Sequence, residues 1–197
     1  MRAGLLVIGS ILPMIGVVPY LIDIIRGPVR PQRMTRFLLL VITGLSFVSL
    51  LAGHDHSGVW LALASFMESL ILWIVSLWRG IGGRGRLDEI CLVLCMVGVA
   101  WWIVSGESLT GLVISIVADL VASVPSLVKT VRLPHTETPL FYGLGTVAGV
   151  CVALAGPYTW RALLLPLYLA IINAAFTGVI VVQPLRSRAR PAAADAV

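Results

Sequence analysis

Val18-Pro19-Tyr20-Leu21-Ile22-Asp23-Ile24-Ile25-Arg26, followed by Pro31-Gln32-Arg33-Met34-Thr35, is an apolar run broken by a proline that gives way to a basic, proline-rich loop. A second version lies about a hundred residues on, as Val124-Pro125-Ser126-Leu127 through Val131-Arg132, then Pro134-His135-Thr136-Glu137-Thr138. In both, a proline precedes an arginine by seven positions, and a second proline precedes a threonine by four. The offset between the copies is 106 in the first half and 103 in the second, so one three-residue slip in the loop aligns them. A helix-loop unit repeated once in a chain is the building pattern of internal-repeat transporters.

The rest of the chain supplies the solvent for such a unit. Its 197 residues are 59% hydrophobic and only 12% charged, with a mean hydropathy of +1.02; ordinary globular domains are about 45–50% apolar and about 25% charged. An integral membrane protein follows. The net charge of +5 is spread between apolar spans rather than gathered on one polar domain, which argues against a nucleic-acid partner. Cys91, Cys95 and Cys151 all sit inside apolar runs, so no disulfide framework is implied. The run from Leu5 carries the repeat motif and has no small-residue cleavage site, so it is expected to be a retained helix rather than a signal peptide.

A membrane span needs about 20 mostly apolar residues. That ruler gives seven spans: 4–25, 36–53, 59–78, 88–105, 109–131, 140–156 and 160–182. Short connections predict that helices adjacent in sequence are close neighbours in space. With seven spans, one side collects Arg26, Arg30, Arg33, Arg36, Arg79, Arg84, Arg86, Lys129, Arg132, Arg186, Arg188 and Arg190, twelve of the 14 basic residues. The other side keeps Arg2 and Arg161. Positive loops stay cytoplasmic, which predicts an inner-membrane protein with its N-terminus outside and its C-terminus inside.

The expected fold is an all-α membrane protein of seven transmembrane helices, two parallel three-helix-bundle repeats joined by a linker helix (3+1+3). The first repeat covers 1–79, the linker loop and fourth helix 80–106, the second repeat 107–186, and a disordered cytoplasmic tail 187–197. The extra crossing has a purpose: two three-helix units joined directly have opposite orientations, and one more span makes them parallel. A solute pathway then lies at the interface of the repeats.

These residues resemble the PQ-loop superfamily. The resemblance rests on the proline-containing first helix with its Pro31-Gln32 loop, echoed by Pro125 and Pro134-His135, and it covers residues 5–183. It implies relatives such as the SWEET sugar transporters and cystinosin-like carriers, and with them a facilitator or proton-linked carrier of a small polar solute. The hinge role carries over to Pro19 and Pro125, which are embedded in apolar helix. In SWEET-like proteins a polar residue, commonly Asn, on both third helices contacts solute; Asn173 matches that position, whereas Glu68 departs from it and suggests a cationic solute or a proton site.

Read from the residues themselves, Glu68 lies about nine positions into the third span, Asp119 about ten into the fifth and Asn173 about thirteen into the seventh, all near the midplane at about 1.5 Å per residue. A charge there costs roughly 2.5–3.5 kcal/mol, so such groups usually face a cavity; the competing role is hydrogen-bonded glue between helices. Asp23 is nearer the cytoplasmic end, with Arg26 three residues on as a local ion partner. Trp73 and Tyr168 are deep enough to stack on a ring-shaped solute or simply to pack, while Trp101, Trp102, Tyr158 and Trp160 fit interface anchors. Pro13, Pro19, Pro125 and Pro166 remove a helix hydrogen bond each and allow kinks, static or moving.

Other signals are weak. His54-Asp55-His56 offers two metal ligands and not a closed site. Gly80 to Arg86 is glycine-rich but has no preceding strand and no Walker lysine, so it is a basic loop facing anionic lipid. No nucleophile–base set, metal spacing or cofactor motif is present, and neither an enzyme, a metal nor a cofactor is expected. The expected partners are the lipid bilayer and a small polar solute such as a sugar, an amino acid or a vitamin, with a monomer sufficient. The alternative is a non-transporting receptor or accessory subunit built on the same bundle.

Overall fold

The computed structural model describes residues 2–27, 29, 31, 33–54, 58–80, 86–132 and 137–188. For residues 87, 88, 91, 95, 99, 102, 125, 129 and 183–188 it gives the backbone path only. The loop residues Gln32, Pro134 and His135, the His56 half of the H-x-H pair, most of the 80–86 glycine loop and the tail from 189 lie outside the described residues. So do the side chains of Pro125, Cys91, Cys95 and Trp102.

Seven helices are described: α1 (Arg2–Arg26), α2 (Arg33–Ala52), α3 (Gly58–Arg79), α4 (Arg86–Ser105), α5 (Ser108–Arg132), α6 (Pro139–Ala155) and α7 (Trp160–Arg188). Each begins and ends within a few residues of the apolar spans above, α7 apart, whose backbone runs on as helix past Val182. Five of them, α1, α2, α3, α5 and the 160–182 part of α7, are long and apolar enough to cross a membrane. The apolar parts of the other two are shorter, Leu92–Ser105 and Pro139–Ala155.

Local chemistry sets the ends. α1 stops at Gly27, whose φ of +96° is a left-handed C-terminal conformation that a residue with a Cβ rarely adopts; its N–H donates to the Asp23 carbonyl at 3.1 Å. α6 starts with Thr138 in extended conformation (φ −96°, ψ 106°) and Pro139 in the first turn, where a missing N–H costs nothing. α1 runs as one helix through both Pro13 and Pro19.

The helices are turned inside out relative to a water-soluble bundle. On α1, Val7, Ile8, Ile11, Ile15, Val18, Ile22 and Ile25 are all exposed, at the three- and four-residue spacing of one helix face. The opposite face buries Gly9, Pro13, Gly16, Val17, Tyr20 and Ile24. Small hydroxyls go inside as well: Ser46, Ser49, Ser69, Ser76 and Ser115 are buried. In water a stripe of that kind is an aggregation surface; in lipid it is the solvated face, and small residues inside permit close helix approach. The chain has the make-up of a multi-pass membrane protein.

Packing does not follow sequence order. α3 wedges between α1 and α2, and α7 between α5 and α6; among the described residues the backbones of α1 and α2 do not approach each other closely, nor do those of α5 and α6. The expectation that sequential helices are neighbours is therefore wrong at these two connections. Each is six residues long (27–32 and 133–138), and six extended residues reach about 20 Å, enough to step over a helix about 10 Å wide. The result is a closed ring, α1–α3–α2–α5–α7–α6 and back to α1, with α4 outside it against α5 and α2.

One end of the ring is sealed. Leu61, Ala148 and Val152 pack with Leu6, Leu12 and Leu169, and Leu50, Ala62, Leu112 and Leu165 fill the space beside them. Gly9 lets α1 lie directly on α6: a Cβ there would stand 2.6 Å from the Val152 Cγ2 and 2.9 Å from the Ala148 carbonyl oxygen. The hydroxyls of Ser46 and Ser115 join α2 to α5 at 2.7 Å.

Candidate functional site

Beyond that seal, towards the C-terminal half of α1, the ring encloses a cavity of about 450 Å³. Every ring helix contributes to its wall, and α4 does not. The polar residues recur at helical spacing, so each helix turns one face inward: Ser65, Glu68 and Ser69 on α3, and Asp119, Ser123 and Ser126 on α5.

Three carboxyl groups and one guanidinium stand on the described wall: Glu68, Asp119, Glu137 and Arg36. Asp119 accepts a hydrogen bond from the Tyr168 hydroxyl at 2.5 Å, which joins α5 to α7. Glu68 accepts no hydrogen bond from any described residue, and it stands within electrostatic reach of both Arg36 and Asp119. The Arg36 guanidinium donates to the Tyr20 hydroxyl, and it also feels the charges of Glu137 and Glu68. Glu137 accepts from the Tyr142 hydroxyl at 3.1 Å.

Aromatic rings make up another part of the wall. Tyr20 lies 4.8 Å from Phe141, Phe141 meets Tyr142 edge-on at 5.0 Å, and Tyr142 stacks on Phe176 at 4.6 Å with an interplanar angle of 9°. The four rings come from α1, α6 and α7 and form one continuous run. Asn173 lies next to them, its amide donating to the Leu169 carbonyl at 2.8 Å. It packs over Gly145, where a Cβ would stand 2.9 Å from the Asn173 Cγ. A bulkier residue at 145 would fill the space Asn173 occupies.

Of the residues singled out from sequence, Glu68, Asp119 and Asn173 line the cavity together. Tyr168 supports Asp119 from outside this wall. Asp23 and Trp73 are not on the wall. Asp23 accepts from the Thr138 hydroxyl at 2.5 Å, a tie between α1 and the start of α6, and Trp73 packs against Phe37 at 6.0 Å. Pro13 is in the wall, whereas Pro19 is not. His54 turns its ring onto the Ala52 carbonyl at 3.0 Å.

Sequence reasoning passed over Arg36, Tyr20, Glu137 and Tyr142. Arg36 counts naturally as a loop charge, yet α2 begins at Arg33 and places it nearly a turn inside the helix. The signal available was the spacing of Arg36, Leu39 and Thr43, three and four apart on one face of α2, all on the wall.

No family model matches the chain, and no curated protein and no solved structure matches it either.

Proposed function

We propose that this chain is a membrane carrier that moves a small polar solute by alternating access between two parallel three-helix repeats, α1–α3 and α5–α7, joined by α4. The N-terminus is outside and the basic loops are cytoplasmic. The observation that carries this reading is a charged, polar cavity held between six helices whose outer faces are apolar, with one end of the bundle packed shut. Such a group of charges is costly at membrane depth, and a solute pathway accounts for it.

The helix ring supports the repeat. The order α1–α3–α2 recurs as α5–α7–α6, and exchanging the two units turns the α1–α6 contact into the α5–α2 contact. Wall residues correspond at the same offset as the sequence motif: Pro13 with Asp119 and Tyr20 with Ser126, each 106 apart. Leu39 and Tyr142, 103 apart, keep the second offset. This arrangement also favours a PQ-loop-like plan, with Pro19 and Pro125 as the points at which α1 and α5 bend.

The test is uptake into proteoliposomes of radiolabelled glucose, alanine, arginine and phenethylamine. Saturable uptake of at least one is expected, lost in the double variant Glu68→Gln with Asp119→Asn. No uptake of any, or uptake untouched by the double variant, contradicts the proposal.

A further inference from the structure

Two carboxyl groups of the described wall, Glu68 on α3 and Asp119 on α5, stand within electrostatic reach of each other. Arg36 is satisfied within the protein: Tyr20 takes its hydrogen bond, and Glu68 and Glu137 both act on its charge. Glu137 has partners of its own, and two further carboxyl groups face the cavity, Glu68 and Asp119. Glu68 has no hydrogen-bond donor of its own among the described residues. Two neighbouring carboxyl groups on the wall of one cavity favour a positive occupant between them.

The form of that cation follows from the rest of the wall. Tyr20, Phe141, Tyr142 and Phe176 present a run of ring surfaces, and aromatic faces attract organic ammonium and guanidinium groups while packing against an apolar body. The volume of about 450 Å³ falls in the range of about 300–1,000 Å³ typical of small-molecule pockets. Among the described residues no three His, Cys, Asp or Glu side chains converge to hold a metal ion. The volume and the ring surfaces suit a small molecule.

We infer that the solute is a small organic cation, an amine or guanidinium carried on an apolar or aromatic body, with its charged head at Glu68 and Asp119 and its body along the Tyr20–Phe141–Tyr142–Phe176 wall. The inference rests on the cavity being a solute site, as proposed above. Arg36 then acts as a specificity-determining residue: its positive charge, over the Tyr20 ring, disfavours a cationic head at that end of the wall, and uncharged sugars gain nothing from the carboxyl pair.

The test is a charge series of matched size, measured by calorimetric binding to the full-length protein in detergent: phenethylamine, 2-phenylethanol and 3-phenylpropanoate, with agmatine as a guanidinium probe. Phenethylamine is expected to bind at least tenfold tighter than 2-phenylethanol, with 3-phenylpropanoate weakest. Glu68→Gln should erase most of that tenfold preference while leaving the alcohol's affinity within about twofold. Equal binding across the series, preference for the alcohol or the acid, or no binding by either cationic probe overturns the inference. The wild-type series stands alone even if a variant folds poorly. Cation-selective binding without uptake upholds the inference and sinks the carrier; uptake without cation preference does the reverse.

Discussion

At the scale of single residues, the two midplane carboxyl groups are held in opposite ways. Asp119 is fixed by Tyr168 across an α5–α7 contact, so it is both wall and glue. Glu68 lacks a hydrogen-bond partner among the described residues, so no such bond offsets the cost of burying its carboxyl group. Removing Tyr168's hydroxyl and removing Glu68's charge should therefore move stability in opposite directions. Tyr168→Phe breaks an interhelical hydrogen bond and is expected to lower stability by about 0.6–2 kcal/mol. Glu68→Gln recovers part of the roughly 2.5–3.5 kcal/mol cost of a buried charge, and it should leave stability equal or higher while uptake falls. Thermal unfolding of the three proteins in one detergent decides this. A Glu68→Gln protein less stable than Tyr168→Phe would mean that Glu68 is structural.

The same two residues show what sequence can and cannot convey. A carboxylate in the middle of an apolar span is conspicuous, so Glu68, Asp119 and Asn173 were legible as a set. Whether a polar side chain faces a cavity or a neighbouring helix depends on rotation about the helix axis, which a single midplane residue does not define. Asp23, nearer a helix end, and Trp73, deeper in its span, were also candidates, yet they turn to Thr138 and Phe37. Arg36 was hidden for the converse reason: a basic residue near a loop fits the orientation rule and raises no question.

At the scale of helices, the decisive contacts are those between α1 and α6 and between α2 and α5, which close the ring. The α1–α6 contact at the sealed end depends on a missing side chain. Alanine is favoured over glycine in a helix by about 1 kcal/mol, but at Gly9 the added Cβ meets the backbone oxygen of Ala148 at 2.9 Å, which cannot rotate away. Overpacking of this kind costs about 1–3 kcal/mol. Gly9→Ala should therefore lower the unfolding temperature, and it should prise the sealed end apart. Gly143 of α6, with nothing within 4 Å of its would-be Cβ, is the control, and Gly143→Ala should be neutral or stabilising. Equal behaviour of the two variants would show that the sealed end tolerates separation. Helix limits were readable because hydropathy changes sharply at the loops. The order of helices around the ring was not, because a six-residue connection reaches a second neighbour as easily as a first.

At the scale of the molecule, the account joins three facts that sequence held separately: a repeated proline motif, a strong bias of basic residues to one set of loops, and a few charges inside apolar spans. The fold arranges α1–α3 and α5–α7 in one ring and gathers charged side chains on the wall of its cavity. The measurement that tests the carrier most directly needs no knowledge of the solute. Ser65, on the α3 wall, is replaced by cysteine in a protein whose Cys91, Cys95 and Cys151 have been changed to serine. The protein is placed in sealed vesicles of known orientation and treated with a membrane-impermeant maleimide from one side or the other. An alternating-access carrier exposes position 65 to each side in turn, so labelling is expected from both, faster from the side of the basic loops because the opposite end is packed shut in this structure. Labelling from one side alone, however long the exposure, would contradict the account and leave a cavity that binds without carrying.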